Sequence, residues 1–329
     1  MDEFDLIRRF FMRPAAADSA DQVVLGIGDD AAVLRLPANT ELVVAVDTLV
    51  EGRHFPVGTS ARAIGYRALA VNLSDMAAMG ATPAWATLAL TLPQIEPLWL
   101  QQFSDGFYEL ANTFGVSLVG GDTTRGALTI SVQIMGYVPQ GAAIRRDGAK
   151  CGDLLAVTGT LGDAGAGLAL VQRSGGVRLS AADVGPSAAV DELIQRFLYP
   201  TPRVAFGQEI RVLASAAMDI SDGLVGDLPK LAAASGLSAL VEIDRLPLSS
   251  ALRGHCPLDQ ARDLALGAGD DYELLVAFPP SNLAALVALA AKLNFQFTVI
   301  GELSPGSGVN WTLQGEPYHP VVVGYDHFR

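Results

Sequence analysis

The stretch VVLGIGDDAAVL, residues 23–34, decides how this chain is read. A short apolar run ends in Gly26-Ile27-Gly28, two carboxylates follow at Asp29 and Asp30, and Ala31-Ala32-Val33-Leu34 returns to apolar. Glycines after a strand let backbone N–H groups approach a phosphate. G-x-G-x-x-A with Asp47 about 20 residues further on also fits the dinucleotide fingerprint. Two carboxylates oppose a pyrophosphate, however, and AVLRLPANTE (32–41) is a strand-like run and a turn, too short for a crossover helix. The stretch therefore argues against a dinucleotide fold. It leaves a question: how does an acidic glycine loop serve a phosphate?

Composition narrows the answer. A chain of 329 residues is long enough for two domains. Half the residues are hydrophobic and 17% are charged, a globular balance. No run reaches the roughly 18 apolar residues of a membrane span. The opening MDEFDLIRRFF lacks the basic flank of a signal peptide, so none is expected. Cys151 and Cys256 form no CxxC and no disulfide framework, which makes a reducing cytoplasm the default. The net charge of −13 argues against a general nucleic-acid binder. Of the three lysines, Lys150, Lys230 and Lys292, none lies in a P-loop pattern.

Around the opening stretch, strands and helices alternate. ELVVAVDTLV (41–50) reads as a strand with Asp47 near its end, and residues 61–80 as a helix closed by Gly80. On that helix Asn72 and Asp75 are three apart and share a face. WATLALTL (85–92) is a strand and 97–115 a helix with proline at its start. VSLVGGDTTRG (116–126) reads as a strand running into a glycine turn at Asp122, and 128–138 as another strand. The connection PQGAAIRRDGAKCGD (139–153) marks a boundary, giving domains 1–140 and 141–329. The second half alternates likewise: strand, glycine turn and helix over 154–171, loop and helix over 199–214, and an acidic turn between strand and helix over 216–236. A glycine turn and strand over 267–279 and a tail of short strands complete it. No repeat of 20–50 residues is present. The class is mixed α and β.

Carboxylates recur beside glycine turns and at strand ends: Asp29, Asp30, Asp47, Asp122, Asp219, Asp222, Asp270 and Asp271, with Asp75 on a helix. Any single one reads as a turn former or cap. Their recurrence at one kind of position suggests convergence at a sheet edge. Clustered carboxylates repel one another, and a divalent cation relieves that repulsion. Aspartate oxygens without a His/Cys cluster select Mg²⁺ over Zn²⁺, and Mg²⁺ is typically shared with substrate phosphates. Arg145 and Arg146 are the obvious pair to take further phosphate charge.

The motifs GIGDDAAVL, VVAVDTLVEGRHF, VNLSDMAAMGATPAW, LVGGDTTRG, MDISDGLVGDL, GDDYELL and GYDHF, spread from residue 26 to residue 328, resemble the thiamine-monophosphate kinase family. That family falls within the ATP-dependent enzymes similar to aminoimidazole ribonucleotide synthetase. The resemblance implies an N-terminal α/β domain whose sheet pairs across a homodimer, a C-terminal α/β domain, and an active site between them. It implies transfer of the γ-phosphoryl group of ATP to thiamine monophosphate, giving thiamine diphosphate and ADP, with no nucleic-acid or membrane partner. Several Mg²⁺ ions are implied, held by Asp30, Asp47, Asp75, Asp122, Asp219 and Asp222, with Asp29 as a helper. Ala45 and Val46 offer only backbone carbonyls beside Asp47. Gly121, Asp122, Arg146 and Ser221 match positions that contact ATP, and His54, Glu273 and Tyr325 match substrate positions.

This agrees with the acidic chemistry read directly. A phosphate-monoester nucleophile is already ionised, so no general base is expected, and catalysis rests on positioning and charge neutralisation. Superfamily relatives fit less well. A hydrogenase-maturation enzyme would end in cysteine, and a selenophosphate synthetase would carry an N-terminal cysteine beside a lysine. Here the chain ends DHFR and the first cysteine is Cys151. A catalytically silent nucleotide- or metal-binding protein is the reading from another class, disfavoured by the full set of carboxylates.

Overall fold

In the computed structural model, which describes residues 3–14, 16, 21–173 and 188–328, the opening stretch folds as a hairpin. Val23–Leu25 (β1) pairs antiparallel with Val33–Leu34 (β2). The chain then enters Thr40–Val50 (β3) with no helix between, as the shortness of 32–41 requires. The last residue of the closing DHFR, Arg329, lies outside the described residues. The chain forms two units; the main changeover lies between Gly141 and Ala142, with 77–80 grouped in the second unit and 171–173 in the first.

The first unit is built on a four-stranded sheet, order β3-β6-β4-β5, from β3, Thr82–Leu92 (β4), Ser117–Arg125 (β5) and Thr129–Pro139 (β6). Only β4 and β5 run parallel, linked by the helix Pro97–Thr113, which is α3 after the short α1 (Glu3–Leu6) and α2 (Ala61–Ala78). Along β6, Ile130, Val132, Ile134 and Val138 are buried while the residues between them are half-exposed, so one face of the sheet is covered. Asp47 stands opposite Val132 in the ladder, hence on that face, and hydrogen-bonds Asp75 of α2. Helix α2 therefore lies on the sheet. It is buried nearly all round because α3 covers its outer side. Both helices meet backbone to backbone at glycine: a Cβ on Gly65 would fall 2.0 Å from the Phe103 carbonyl oxygen, and one on Gly106 2.0 Å from that of Arg62. On the other face of the sheet, the β1–β2 hairpin packs on buried Trp85 and Val119.

One sequence expectation is corrected here. Residues 120–125 do not leave the sheet as a glycine turn but continue β5 through Asp122 to Arg125. A Cβ on Gly121 would fall 1.9 Å from the carbonyl oxygen of Leu88, its ladder partner on β4. Gly121 is thus a close-approach glycine within the sheet.

The second unit carries a seven-stranded sheet, order β13-β12-β9-β11-β7-β10-β8. Its strands are Leu154–Thr158 (β7), Ala216–Asp219 (β8), Leu237–Glu242 (β9), Leu274–Phe278 (β10), Phe297–Pro305 (β11), Gly308–Leu313 (β12) and Glu316–Tyr318 (β13). All pairs are antiparallel except β9 with β12. Strands β8 and β10 are buried along their whole length, which explains their near-continuous apolar sequence. The helices are Asp163–Arg173 (α4), Ala188–Leu198 (α5), Val204–Glu209 (α6), Leu224–Ala234 (α7), Ser250–His255 (α8), Leu258–Gly267 (α9) and Leu283–Lys292 (α10). Leu224, Leu228 and Leu231 of α7, one helical stripe, join Met218, Val241 and Ile300 of the sheet in one core. That packing fixes the turn 220–223 between β8 and α7, where the acidic residues of this unit sit.

Candidate active site

In the first unit a cavity of about 850 Å³ opens between the loop 27–32 and the segment 120–123 of β5. It is lined by Gly28, Asp29, Asp30, Gly120, Gly121 and Asp122, with Ile7, Phe11, Met12, Leu118 and Met135 forming an apolar wall. One mouth thus combines glycine backbone, carboxylates and an apolar floor, the composition expected for a nucleotide. Gly28 adopts φ +129°, and a Cβ on Gly120 would meet only Thr87 Cγ2 at 3.7 Å, so both present bare backbone. Asp29 turns inward on its own loop: its Oδ1 accepts the N–H of Asp30 at 2.8 Å. Asp29 therefore shapes the loop that displays Asp30.

Deeper in the same unit, Asp47 and Asp75 hydrogen-bond each other through their side chains. Burial raises the pKa of Asp47, and the bond to Asp75 only partly offsets that. Two carboxyls in this contact share a proton or need a cation. Asn72, one turn before Asp75 on α2, is fully buried; its Nδ2 donates to the Ala68 carbonyl at 3.0 Å, while its Oδ1 has no partner. Ala45 and Val46 lie on the edge strand β3, where alternate carbonyls point away from β6. His54 sits in the turn after β3, and its Nδ1 accepts the N–H of Val50 at 3.0 Å, which puts the proton of the neutral ring on Nε2.

In the second unit, Asp219 ends β8 and is buried, while Ser221 and Asp222 form the turn into α7. Asp227, buried in the first turn of α7, accepts the N–H groups of Ser221 at 3.0 Å and Asp222 at 2.9 Å on one oxygen. The tail crosses the same turn: Tyr325 donates its N–H to the Asp222 carbonyl at 2.9 Å, and a Cβ on Gly324 would fall 2.7 Å from the Cα of Gly226. Arg145 is taken by Asp147 through two bonds of 2.8 and 2.5 Å, whereas Arg146 is exposed.

Glu273, matched on sequence to a substrate position, is fully buried. Arg203 contacts both its oxygens at 2.7 and 2.6 Å, Arg196 donates at 2.9 Å, and the Thr158 hydroxyl at 2.6 Å. Burial alone would raise its pKa, but Arg203 and Arg196 outweigh burial and hold the carboxyl below its ordinary value. Glu273 is a buried counter-charge. GDDYELL meets the acidic turn through its backbone: Tyr272 donates its N–H to the Ile220 carbonyl at 2.9 Å, the Glu273 carbonyl accepts the Ile220 N–H at 2.8 Å, and Asp270, at φ +62°, donates its N–H to the Ser221 carbonyl at 2.9 Å. Its sequence signal was its place directly after Gly269. Asp271 is buried and accepts the N–H groups of Gly162 and Ala164 at the start of α4.

Among the described residues, no three His, Cys, Asp or Glu side chains stand close enough together to hold one metal ion. The chemistry of the donors nevertheless fits a hard divalent cation: carboxylate and amide oxygens only, a carboxyl pair at Asp47 and Asp75, and an orphaned buried oxygen on Asn72. No helix among the described residues is long and apolar enough to cross a membrane.

Residues 28–138 match the N-terminal domain of AIR synthase related protein, and residues 150–313 match its C-terminal domain. The thiamine-monophosphate kinase of Salmonella typhimurium (strain LT2) is 47% identical over 327 residues, covering 99% of this chain and 98% of that one. This chain belongs to the thiamine-monophosphate kinase family. The crystal structure of the thiamine-monophosphate kinase from Stenotrophomonas maltophilia K279a superposes with a TM-score of 0.87 at 48% identity, covering 97% of this chain and 98% of that one. AaThiL complexed with AMPPCP and TMP superposes with a TM-score of 0.77 at 32% identity over 89% of each chain. A hydrogenase maturation protein HypE, at 19% identity and a TM-score of 0.73, shares the fold alone. The kinase family therefore accounts for both domains, and the superfamily alternatives weighed on sequence are not needed.

Proposed function

We propose that this chain transfers the γ-phosphoryl group of ATP to thiamine monophosphate, releasing thiamine diphosphate and ADP, in the cytoplasmic synthesis of thiamine diphosphate. The observation that carries this reading beyond family membership is the cavity that brings Gly28–Asp30 to Gly120–Asp122. The reacting bond is P–O for P–O: a terminal phosphate oxygen of thiamine monophosphate attacks the γ-phosphorus, and the β–γ bridging oxygen leaves with ADP. The nucleophile is already ionised, so the chain has no proton to remove at the attacking atom.

What remains for the protein is to hold two anions together. Asp30, Asp47, Asp75 and Asp122, with Asp219 and Asp222 of the second unit, are assigned to hold Mg²⁺. Bound Mg²⁺ supplies neutralisation of phosphate charge and orientation of the transferring group. The bare backbone at Gly28 and Gly120–Gly121, with Arg146 and Ser221, is assigned to ATP. His54, through Nε2, and Tyr325 are assigned to thiamine monophosphate. The aromatic face of Tyr325 suits a cationic thiazolium. Glu273 is assigned to the substrate side through its ion pairs with Arg196 and Arg203 rather than by direct contact.

A homodimer is part of this reading. Leu42, Val44 and Val46 alternate along β3 on the face away from α2 and are 49, 48 and 64% exposed. Such a row on an unpaired edge strand suits a second copy of the sheet. Val46→Asp is expected to give monomers by sedimentation.

The test is direct. The protein is incubated with ATP, Mg²⁺ and thiamine monophosphate, and thiamine diphosphate is measured. Absence of product with any thiamine species, or unphosphorylated thiamine as the better acceptor, overturns the reading.

A further inference from the structure

One of the three lysines stands in the acidic turn of the second unit. Lys230 Nζ is 2.6 Å from Asp222 Oδ2 and 2.9 Å from Asp227 Oδ1. These two anchors differ. Asp227 is buried and locked, its other oxygen holding the N–H groups of Ser221 and Asp222. Asp222 is partly exposed, with its carboxylate turned to the ammonium. Lys230 lies one turn after Asp227 on α7, so the helix itself delivers the ammonium to this place.

We propose that Lys230 is a built-in counter-cation for Asp222, one that a divalent metal ion must displace, and that it makes metal binding at this turn depend on the nucleotide. The proposal rests on the reading of Asp222 as a metal ligand. An ammonium and a dication on one carboxylate repel, so a metal ion arriving alone must break the Lys230–Asp222 contact. The displaced ammonium does not leave, because Asp227 keeps hold of it. It stays beside the metal and opposes it until an anion lies between them. A polyphosphate is such an anion, and it turns the repulsion into two attractions. Lys230 thereby disfavours metal without nucleotide and tolerates metal with it.

The experiment uses the full chain and Mn²⁺ as a spectroscopic probe, counted by electron paramagnetic resonance with and without a non-hydrolysable ATP analogue. Lys230→Met, similar in length and uncharged, is expected to bind Mn²⁺ without nucleotide about tenfold more tightly than the parent, the scale of one lost charge contact. Lys230→Arg is expected to stay within about twofold of the parent. With the analogue present, Lys230→Met should lose its advantage. Adding Asp222→Asn to Lys230→Met should abolish the gain. Equal or weaker Mn²⁺ binding by Lys230→Met without nucleotide overturns the proposal. So does an Mn²⁺ count with the analogue that Asp222→Asn leaves unchanged. Production of thiamine diphosphate by the parent chain is scored separately, so the kinase reading stands or falls on its own result.

Discussion

The side chains of Asp47 on β3 and Asp75 on α2 are hydrogen-bonded to each other, carboxyl to carboxyl, on the helix-covered face of the first sheet. At neutral pH two ionised carboxylates repel in such a contact, so the pair wants one proton or one cation. Asp47→Asn supplies the proton's hydrogen bond permanently. The variant should fold at least as stably as the parent in metal-free buffer, by thermal melting, while kinase activity falls by about a hundredfold or more. A melt lowered by several degrees would show that the pair is structural instead.

Gly120 and Gly121 are adjacent and line one cavity, yet they should respond differently to alanine. A Cβ on Gly121 falls 1.9 Å from the Leu88 carbonyl oxygen, while one on Gly120 meets nothing closer than Thr87 Cγ2 at 3.7 Å. Gly121→Ala should destabilise the first unit by about 3 kcal/mol or more, since β4 and β5 must separate. Gly120→Ala should cost about 1 kcal/mol or less and act chiefly by raising KM for ATP. Denaturant melts paired with initial rates separate the two.

Glu273→Ala removes the buried partner of two partly buried guanidinium groups, those of Arg196 and Arg203. Breaking a buried pair by removing one partner costs about 3–5 kcal/mol. Glu273→Gln keeps acceptor capacity and should cost less. Both losses should appear in urea unfolding. A ligand contact would instead raise KM for thiamine monophosphate at unchanged stability, and that pattern would assign Glu273 to direct substrate contact.

Asp271 gives a pH dependence with a defined sign. Burial, reinforced by Asp163, pushes its carboxyl up to about 8, against the partial relief of the Gly162 N–H and Arg196. A folded-state value above the unfolded one means the folded protein holds the proton more tightly. That contribution is complete below about pH 4 and is lost as pH rises through about 8. Relative to the parent, Asp271→Asn should gain stability between pH 6 and pH 9. Thermal midpoints across that range measure the difference, and parallel curves for the two proteins would refute it.

Several features were legible in the residues themselves. The length of 32–41 excluded a crossover helix, and the chain does pass from β2 to β3 without one. The proline that opens 97–115 marked a helix start, and the helix Pro97–Thr113 begins there, because proline's fixed φ suits the first helical position. For the acidic loop, the sequence offered Asp30 as a metal ligand with Asp29 as a helper; in the fold Asp30 lines a cavity and Asp29 accepts the N–H of Asp30.

Other features needed the folded chain. Gly121 read as phosphate room, but whether a glycine serves a ligand or a neighbouring strand depends on what stands across from it, and Leu88 is 33 residues away. Glu273 and Asp270 sit in one short motif, and only burial separates the one that neutralises Arg196 and Arg203 from the one that reaches Ser221. On sequence Lys230 was only a lysine outside any P-loop pattern; α7 carries it to Asp222. The sequence by itself determined the element types, the class and the acidic, oxygen-only chemistry, since these follow from periodicity and side-chain type. Tertiary structure decided which carboxylates line a cavity and which face an arginine, because desolvation and charge pairing are set by neighbours far apart in the chain.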